Sequence, residues 1–432
     1  MNENSKIYIN KKILIYGLGK SGISTFNFLK QYSDISLFDD NKKIKLKNSL
    51  KNRFISFNQI KKIKFDIIIL SPGININQCK LNNFLKKNLK IIYTDLDVLH
   101  SFYKNQCIAI TGTNGKSTTC QLLYEVLKKQ GLDVKLAGNI GYPALSLKDI
   151  KKKSVFIIEV SSYQLEYSQL FTSKYSAILN ISLDHLERHK TFKNYISAKF
   201  KLIEYQKKGS IAFINKYDKY IQKEIKTKKH KSKIIKIETK LKDQMVNTFQ
   251  NNYFLSASNK ENLAFVIKIA KKFKVKKKIL FKAIKNFKGL KYRQQIIFDD
   301  KNISVINDSK STSYQSSIEM LKKSKNIYWL LGGIPKKGDR FNLSKKYYKN
   351  IKGFVFGKEH KKFSIDLKNK IRHKYFFNLK EALSAVFYEI KKDNSIKKII
   401  LLSPAAASFD SFKNFEDRGS YFNKLIKKHL NV

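Results

Sequence analysis

Residues 111–118 read TGTNGKST and follow the apolar run CIAI. A glycine loop set between a strand and a helix turns backbone N–H groups toward a phosphate. Its lysine reaches the terminal phosphoryl oxygens and its hydroxyls join a magnesium shell. The residues that could do this are Gly112, Thr113, Asn114, Gly115, Lys116, Ser117 and Thr118. Only Thr113 and Asn114 separate the two glycines, so the loop is shorter than the general pattern. A second glycine run, ILIYGLGKSG, places Gly17, Gly19 and Gly22 after an apolar stretch, with Asp39 closing the next one. That is the arrangement of a dinucleotide fold, in which glycines let the backbone approach a phosphate and an acid holds a ribose. By itself it is equally a nicotinamide-cofactor loop or a tight strand-to-helix turn, and Asp40 is equally a turn residue.

Magnesium on a nucleotide needs further ligands from nearby strand ends. FIIEVSS ends an apolar run in Glu159, and LNISLDHLERH ends another in Asp184 and His185. Parallel strands would bring such ends to one sheet edge beside the phosphate loop, although a lone Glu or His there is often a surface or capping residue. Lys199, in YISAKFKLIE, carries no signal of its own and reads as one solvated lysine among many. The last third supplies GLKYRQQ, VINDSKSTS, LLGGIPKKGDRF and LLSPAAASFDSFKNFEDRG. Their Ser, Thr, Lys and Asp residues suit a small anionic, amine-bearing substrate or serve as helix caps.

These stretches need a scaffold. Short apolar runs alternating with helix-length amphipathic segments, from KKILIYGLG to KKIILLSPAAAS, predict parallel sheets covered on both faces and hence an α/β protein. A length of 432 residues predicts two or three domains, and motif restarts divide the chain into 1–94, 95–290 and 291–432. Pro72, Pro143, Pro335 and Pro404 all fall in loop-like clusters. Cys79, Cys107 and Cys120 form no CxxC pair, which argues against a disulfide framework or a zinc site. No apolar run nears the ~20 residues of a membrane span, and MNENSKIYIN lacks an export signal, so a soluble, cytoplasmic protein is expected. The net charge of +55, from 88 Lys and Arg against 33 Asp and Glu, raises a nucleic-acid reading. The lysines run through nearly every segment, which favours a solvated surface with no specific nucleic-acid partner. Such a surface still draws in small anions.

TGTNGKST, GLGKSG, SPG, AGNIG, EVSSYQLE, DHLERH, NDSKST and LSPAAASFDSFKNFEDRG span nearly the whole chain. Together they resemble the Mur ligases, the ADP-forming amide ligases of bacterial cell-wall synthesis. EVSSYQLE and SPAAASFDSFKNFEDRG look like the D-glutamate-adding branch of that family. The resemblance implies a Rossmann-like N-terminal domain for a UDP-sugar and a central P-loop ATPase-like domain with a mostly parallel sheet. It implies a Rossmann-like C-terminal domain for the incoming amino acid. The implied substrates are UDP-N-acetylmuramoyl-L-alanine and D-glutamate, the cofactors ATP and two Mg2+ ions, and the protein a monomer with no membrane partner.

Residue by residue, the resemblance gives the first loop to the UDP-sugar and the second to ATP. Gly17, Gly19, Ser21, Gly22 and Asp39, with Ser71, Pro72 and Gly73 of SPG and Asn139 of AGNIG, become substrate contacts. Lys116 falls on the β and γ phosphates, Asn259 and Asn262 beside the adenine, and Arg293 and Asp308 complete the ATP site. Ser117, Glu159, His185 and Lys199 become metal ligands, Lys199 as a carbamate, and Lys116, Lys199 and His185 form the catalytic set. Lys310, Thr312, Lys336, Ser408 and Phe415 surround D-glutamate, with Lys337 the neighbouring alternative to Lys336. The chain departs from the pattern at Tyr292, where relatives often carry histidine, and at Asp40 and Asn41, which follow Asp39.

Overall fold

Runs of isoleucine, leucine and valine form the inner strands, because branched side chains fit a pleat that is buried on both faces. The computed structural model describes residues 3–41, 48–322, 325–336, 338–395 and 397–430. β1 (Lys12–Tyr16), β2 (Asp34–Phe38), β3 (Ile67–Leu70) and β4 (Ile92–Tyr93) make a parallel sheet in the order β2-β1-β3-β4. A second parallel sheet contains β5 (Cys107–Thr111), β6 (Val134–Gly138), β7 (Val155–Glu159), β8 (Tyr175–Ile178), β9 (Ile211–Asn215) and β10 (Lys233–Ile237). Its order is β10-β9-β8-β5-β7-β6, so the strand ends that precede the phosphate loop, Glu159 and Asn180 are neighbours. β11 (Gln295–Asp299), β12 (Ile303–Asn307), β13 (Ile327–Gly332), β14 (Ile351–Phe356), β15 (Arg372–Phe376) and β16 (Lys398–Leu402) form the third sheet. Its order is β11-β12-β16-β13-β14-β15, with only β11 antiparallel to its neighbour. The α/β class with mostly parallel sheets is therefore as expected.

The chain divides into two compact units, 1–287 and 288–432. In the first, one core runs from Ile13, Ile15 and Leu37 through Leu96 and Leu99 of the helix Asp95–Phe102 to Ala109, Phe156 and Ile158. Asp97 fastens that helix from within. It is fully buried, its Oδ2 accepts from Thr94 N–H and Oγ1, and its Oδ1 accepts from Ser168 Oγ and from Gln169, Leu170 and Phe171 N–H. In the second unit, separate cores cover the two faces of the third sheet, one around Trp329, Phe341 and Phe363, the other around Tyr328, Leu383 and Phe422. No helix among the described residues is long and apolar enough to cross a membrane.

Candidate active site

The fully buried strand β5 delivers Thr111 to the phosphate loop, and the helix Lys116–Lys129 starts directly after Gly115. Gly115 has φ +81°, a left-handed conformation that favours glycine. A Cβ there would also lie 2.0 Å from Asn262 Oδ1, so the helix Ala257–Lys272 presses its Asn262 onto the loop. Thr119 Oγ1 holds the same Oδ1 at 3.2 Å, and Asn262 Nδ2 lies 3.4 Å from Asn259 Oδ1. The end of β8 braces the other side. Thr113 N–H donates to Asn180 O at 2.9 Å, Asn114 N–H donates to Asn180 Oδ1 at 2.8 Å, and Thr113 Oγ1 accepts from Ser182 N–H at 3.0 Å and pairs with Tyr195 Oη at 2.9 Å. Lys116 folds over its own loop, with Nζ donating to Gly112 O at 2.9 Å and Thr113 O at 2.8 Å, while Ser117 and Thr118 are buried behind it.

Lys199 reverses its sequence expectation of a solvated side chain. It is 2% exposed on the helix Phe192–Glu204 and donates to Gly112 O at 2.9 Å, the carbonyl that Lys116 also uses. Burial holds its amine well below the ordinary lysine range, the nearby Lys116 charge pushes it further down, and Asp184 and Glu159 oppose both. Glu159, 1% exposed at the end of β7, receives Asn139 Nδ2 on Oε1 at 2.9 Å, whereas its buried Oε2 has no hydrogen-bond partner. An orphaned, buried carboxylate oxygen suits a cation. His185, with φ +54°, has Tyr163 Oη 2.9 Å and Glu187 Oε1 3.2 Å from Nδ1, and Asp184 Oδ2 3.4 Å from Nε2. Among the described residues no three His, Cys, Asp or Glu side chains form a ready-made cation cage.

In the first glycine loop, Gly17 has φ +93° and a Cβ on Gly22 would lie 1.9 Å from Gly17 O. Ser71 Oγ donates to that carbonyl at 2.6 Å, and Ile74 N–H returns to Ser71 O around Pro72 and Gly73, so SPG and GLGKSG are packed together. The helix Lys20–Leu29 begins after Gly19 with Ser21 in its first turn. Asp39 braces the loop itself, its Oδ2 accepting from Leu18 N–H at 2.6 Å and its Oδ1 from Asn41 N–H at 2.8 Å. Asp40 accepts from Tyr16 Oη at 2.7 Å.

The second unit gathers its candidates at the carboxyl ends of β12, β13 and β16. Asp308 accepts from Gln294 N–H at 3.1 Å and Ser403 Oγ at 3.0 Å, beside half-buried Arg293. Lys310 Nζ stands 4.2 Å over the Phe415 ring, and its N–H donates to Tyr292 O at 3.0 Å. Tyr292 itself packs on Gly419, where a Cβ would lie 2.3 Å from its ring. Thr312 and Lys336 are half-buried, Ser408 is buried, and Lys337 lies outside the described residues. Sequence reasoning passed over Arg418. Fully buried, it donates to Ser309 Oγ and O, Gly332 O and Ala406 O at 2.9–3.2 Å, tying three strand-end loops together. Arg418 lies within FEDRG, as Tyr163 lies within EVSSYQLE, Asn180 within LNISLDHLERH and Tyr195 within YISAKFKLIE, but nothing in those stretches singles out these residues.

Comparison with known proteins identifies the family. Residues 110–283 match the Mur ligase middle domain, and residues 11–93 match the Mur ligase MurD-like N-terminal domain. The proteins named UDP-N-acetylmuramoylalanine–D-glutamate ligase of Rickettsia felis and of Buchnera aphidicola subsp. Schizaphis graminum are each 36% identical to the chain. The alignments cover 99% and 98% of the chain, and 99% of each relative. The fold is similar to that of a Thermotoga maritima MurF ligase solved with ADP, at 14% identity and a TM-score of 0.59 over 99% of this chain and 100% of that one. It is similar also to MurC of the same organism, at 16% identity and a TM-score of 0.55 over 98% and 100%. Near-complete alignment at this identity, with both glycine loops inside matched domains, means that the chain belongs to the Mur ligase family.

Proposed function

We propose that the chain is an ATP-dependent, ADP-forming ligase that joins D-glutamate to UDP-N-acetylmuramoyl-L-alanine in the cytoplasm, a step of peptidoglycan precursor synthesis. The observation that carries this reading is the end-to-end relationship to enzymes named for that reaction. The braced loop 111–118, with Lys116 and Lys199 converging on one carbonyl, supports ATP as the phosphoryl donor. We take 1–94, 95–290 and 291–432 as the UDP-sugar, ATP and amino-acid domains, and a monomer as the working unit.

In this reading the alanyl carboxylate attacks the γ phosphorus of ATP, ADP leaves, and an acyl phosphate results. The D-glutamate amine, after losing a proton, attacks the acyl carbon; the tetrahedral intermediate collapses, an amide forms and phosphate departs. Lys116 swings from its loop carbonyls to the β and γ phosphates and offsets the charge of the transferring group. The neutral amine of Lys199 captures carbon dioxide, releasing one proton and becoming an anionic carbamate. Glu159 through its unpartnered Oε2, His185, Ser117 and that carbamate would hold two magnesium ions, which supply charge neutralisation. Asn139, which donates to Glu159, contacts the substrate together with the residues named for GLGKSG, Asp39 and SPG. Lys310, Thr312, Lys336, Ser408 and Phe415 receive D-glutamate, and Arg293 and Asp308 complete the nucleotide site. Phosphate release with ATP, magnesium and UDP-N-acetylmuramoyl-L-alanine tests this directly: it should require D-glutamate and not proceed with L-glutamate, L-lysine or no amino acid. Release that depends on a different amino acid would sink the assignment.

A further inference from the structure

The helix Ala257–Lys272 carries a carboxylate to which none of these roles applies. Glu261 lies between Asn259 and Asn262, and its two oxygens face two asparagines: Oε1 accepts from Asn180 Nδ2, and Oε2 accepts from Asn215 Nδ2 at 3.1 Å. Backbone groups dictate the polarity of both bonds. Asn180 Oδ1 accepts from Asn114 N–H at 2.8 Å, and Asn215 Oδ1 accepts from Tyr217 N–H at 2.9 Å. A backbone N–H only donates, so each asparagine must turn its oxygen toward the backbone and its NH2 toward Glu261. Glu261 is therefore addressed by two donors, and an ionised carboxylate accepts at both oxygens.

We propose that Glu261 is a positioning residue for the ATP phosphate loop, acting through Asn180. By accepting from Nδ2, which also donates to Asn114 O at 3.3 Å, it helps to hold the Asn180 amide in the one orientation that keeps Asn114 N–H, while the Asn180 carbonyl holds Thr113 N–H at 2.9 Å. The amides of Thr113 and Asn114 are thereby committed to shaping the loop. One helical turn grips the loop twice, through Asn262 against Gly115 and through Glu261 by way of Asn180. The binding free energy of a phosphate loop depends on its amides being oriented before the ligand arrives, so slack at Asn114 should weaken nucleotide binding. The hydrogen bonds described for Glu261, Asn180 and Asn215 all stay within residues 111–261. The inference rests on the reading that 111–118 hold ATP.

Glu261→Gln tests it with almost no change of shape. Glutamine presents one acceptor and one donor, so an NH2 must face one of the two asparagine NH2 groups. Binding of β,γ-imido-ATP with magnesium, measured calorimetrically, should weaken roughly tenfold, with KM for ATP rising in parallel and KM for D-glutamate changing less than about twofold. Asn180→Ala provides an arm that does not depend on how the glutamine variant folds, and should show a similar loss. If Glu261 acts through Asn180, the double variant binds the analogue no more weakly than Asn180→Ala alone. Parent-like binding by Glu261→Gln, fully additive losses in the double variant, or an equal rise in the D-glutamate KM each overturn the inference. Absence of analogue binding by the parent protein would instead remove the ATP reading beneath it.

Discussion

Replacing Gly115 with alanine puts one methyl group where the structure has no room for it. The residue has φ +81°, and holding an L-residue in the left-handed region costs about 1–2 kcal/mol. The new Cβ would lie 2.0 Å from Asn262 Oδ1, 1.4 Å short of the 3.4 Å at which ordinary contact begins. Asn262 is 2% exposed, and the same oxygen accepts from Thr119 Oγ1, so moving it aside sacrifices a buried hydrogen bond of about 1 kcal/mol. The expected loss is about 2–3 kcal/mol, read as a drop in the midpoint of the first urea unfolding transition, together with severely reduced phosphate release. Removing the obstructing side chain separates the two contributions. Gly115→Ala combined with Asn262→Ala should lose less than the sum of the two single variants, because the overlap vanishes and only the backbone strain remains. A single variant within about 0.5 kcal/mol of the parent, or strict additivity in the double variant, would refute the reasoning.

With Lys199 carbamylated as proposed, Lys199→Ala is expected to be inactive yet partly rescued by added short-chain carboxylate; parent-like activity without rescue contradicts that role. Asp97→Asn turns an NH2 toward a cluster of donors and should lower the stability of the first unit by about 3 kcal/mol in urea, so a change under about 1 kcal/mol would show the six contacts to be dispensable. Burial, with Asp218 as a like-charged neighbour, pushes Glu261 up to about 7 against the donation of Asn180 and Asn215. Its ionised form is the one both asparagines address, so affinity for β,γ-imido-ATP should be full above about pH 7 and decline as the pH falls through it. The comparison with Glu261→Gln isolates this group from others that titrate, and an identical pH profile in the two proteins would rule it out.

How much of this was legible in the sequence follows from how far each feature reaches along the chain. Apolar runs announced the inner strands because residues buried on both faces need be nothing but apolar. Edge strands such as β10 and β15 are harder to read, because lysines and other polar side chains interrupt the apolar run, as in Lys233–Ile237 and Arg372–Phe376. Both glycine loops were readable because a phosphate loop is a local object, made by the conformations and amides of a few consecutive residues.

By itself, then, the sequence determined the glycine loops, the alternation of strands and helices, and the order of motifs. Tertiary structure decided which distant residues those loops would meet. Lys199 looked like any surface lysine until packing of its helix buried it beside Lys116, 83 positions earlier in the chain, and lowered its affinity for a proton. Glu261 and Arg418 likewise acquired their roles only when neighbouring strand ends converged on them. Burial, field and hydrogen-bond polarity are properties of a neighbourhood, and in a parallel sheet the neighbours come from strands separated along the chain by whole helices.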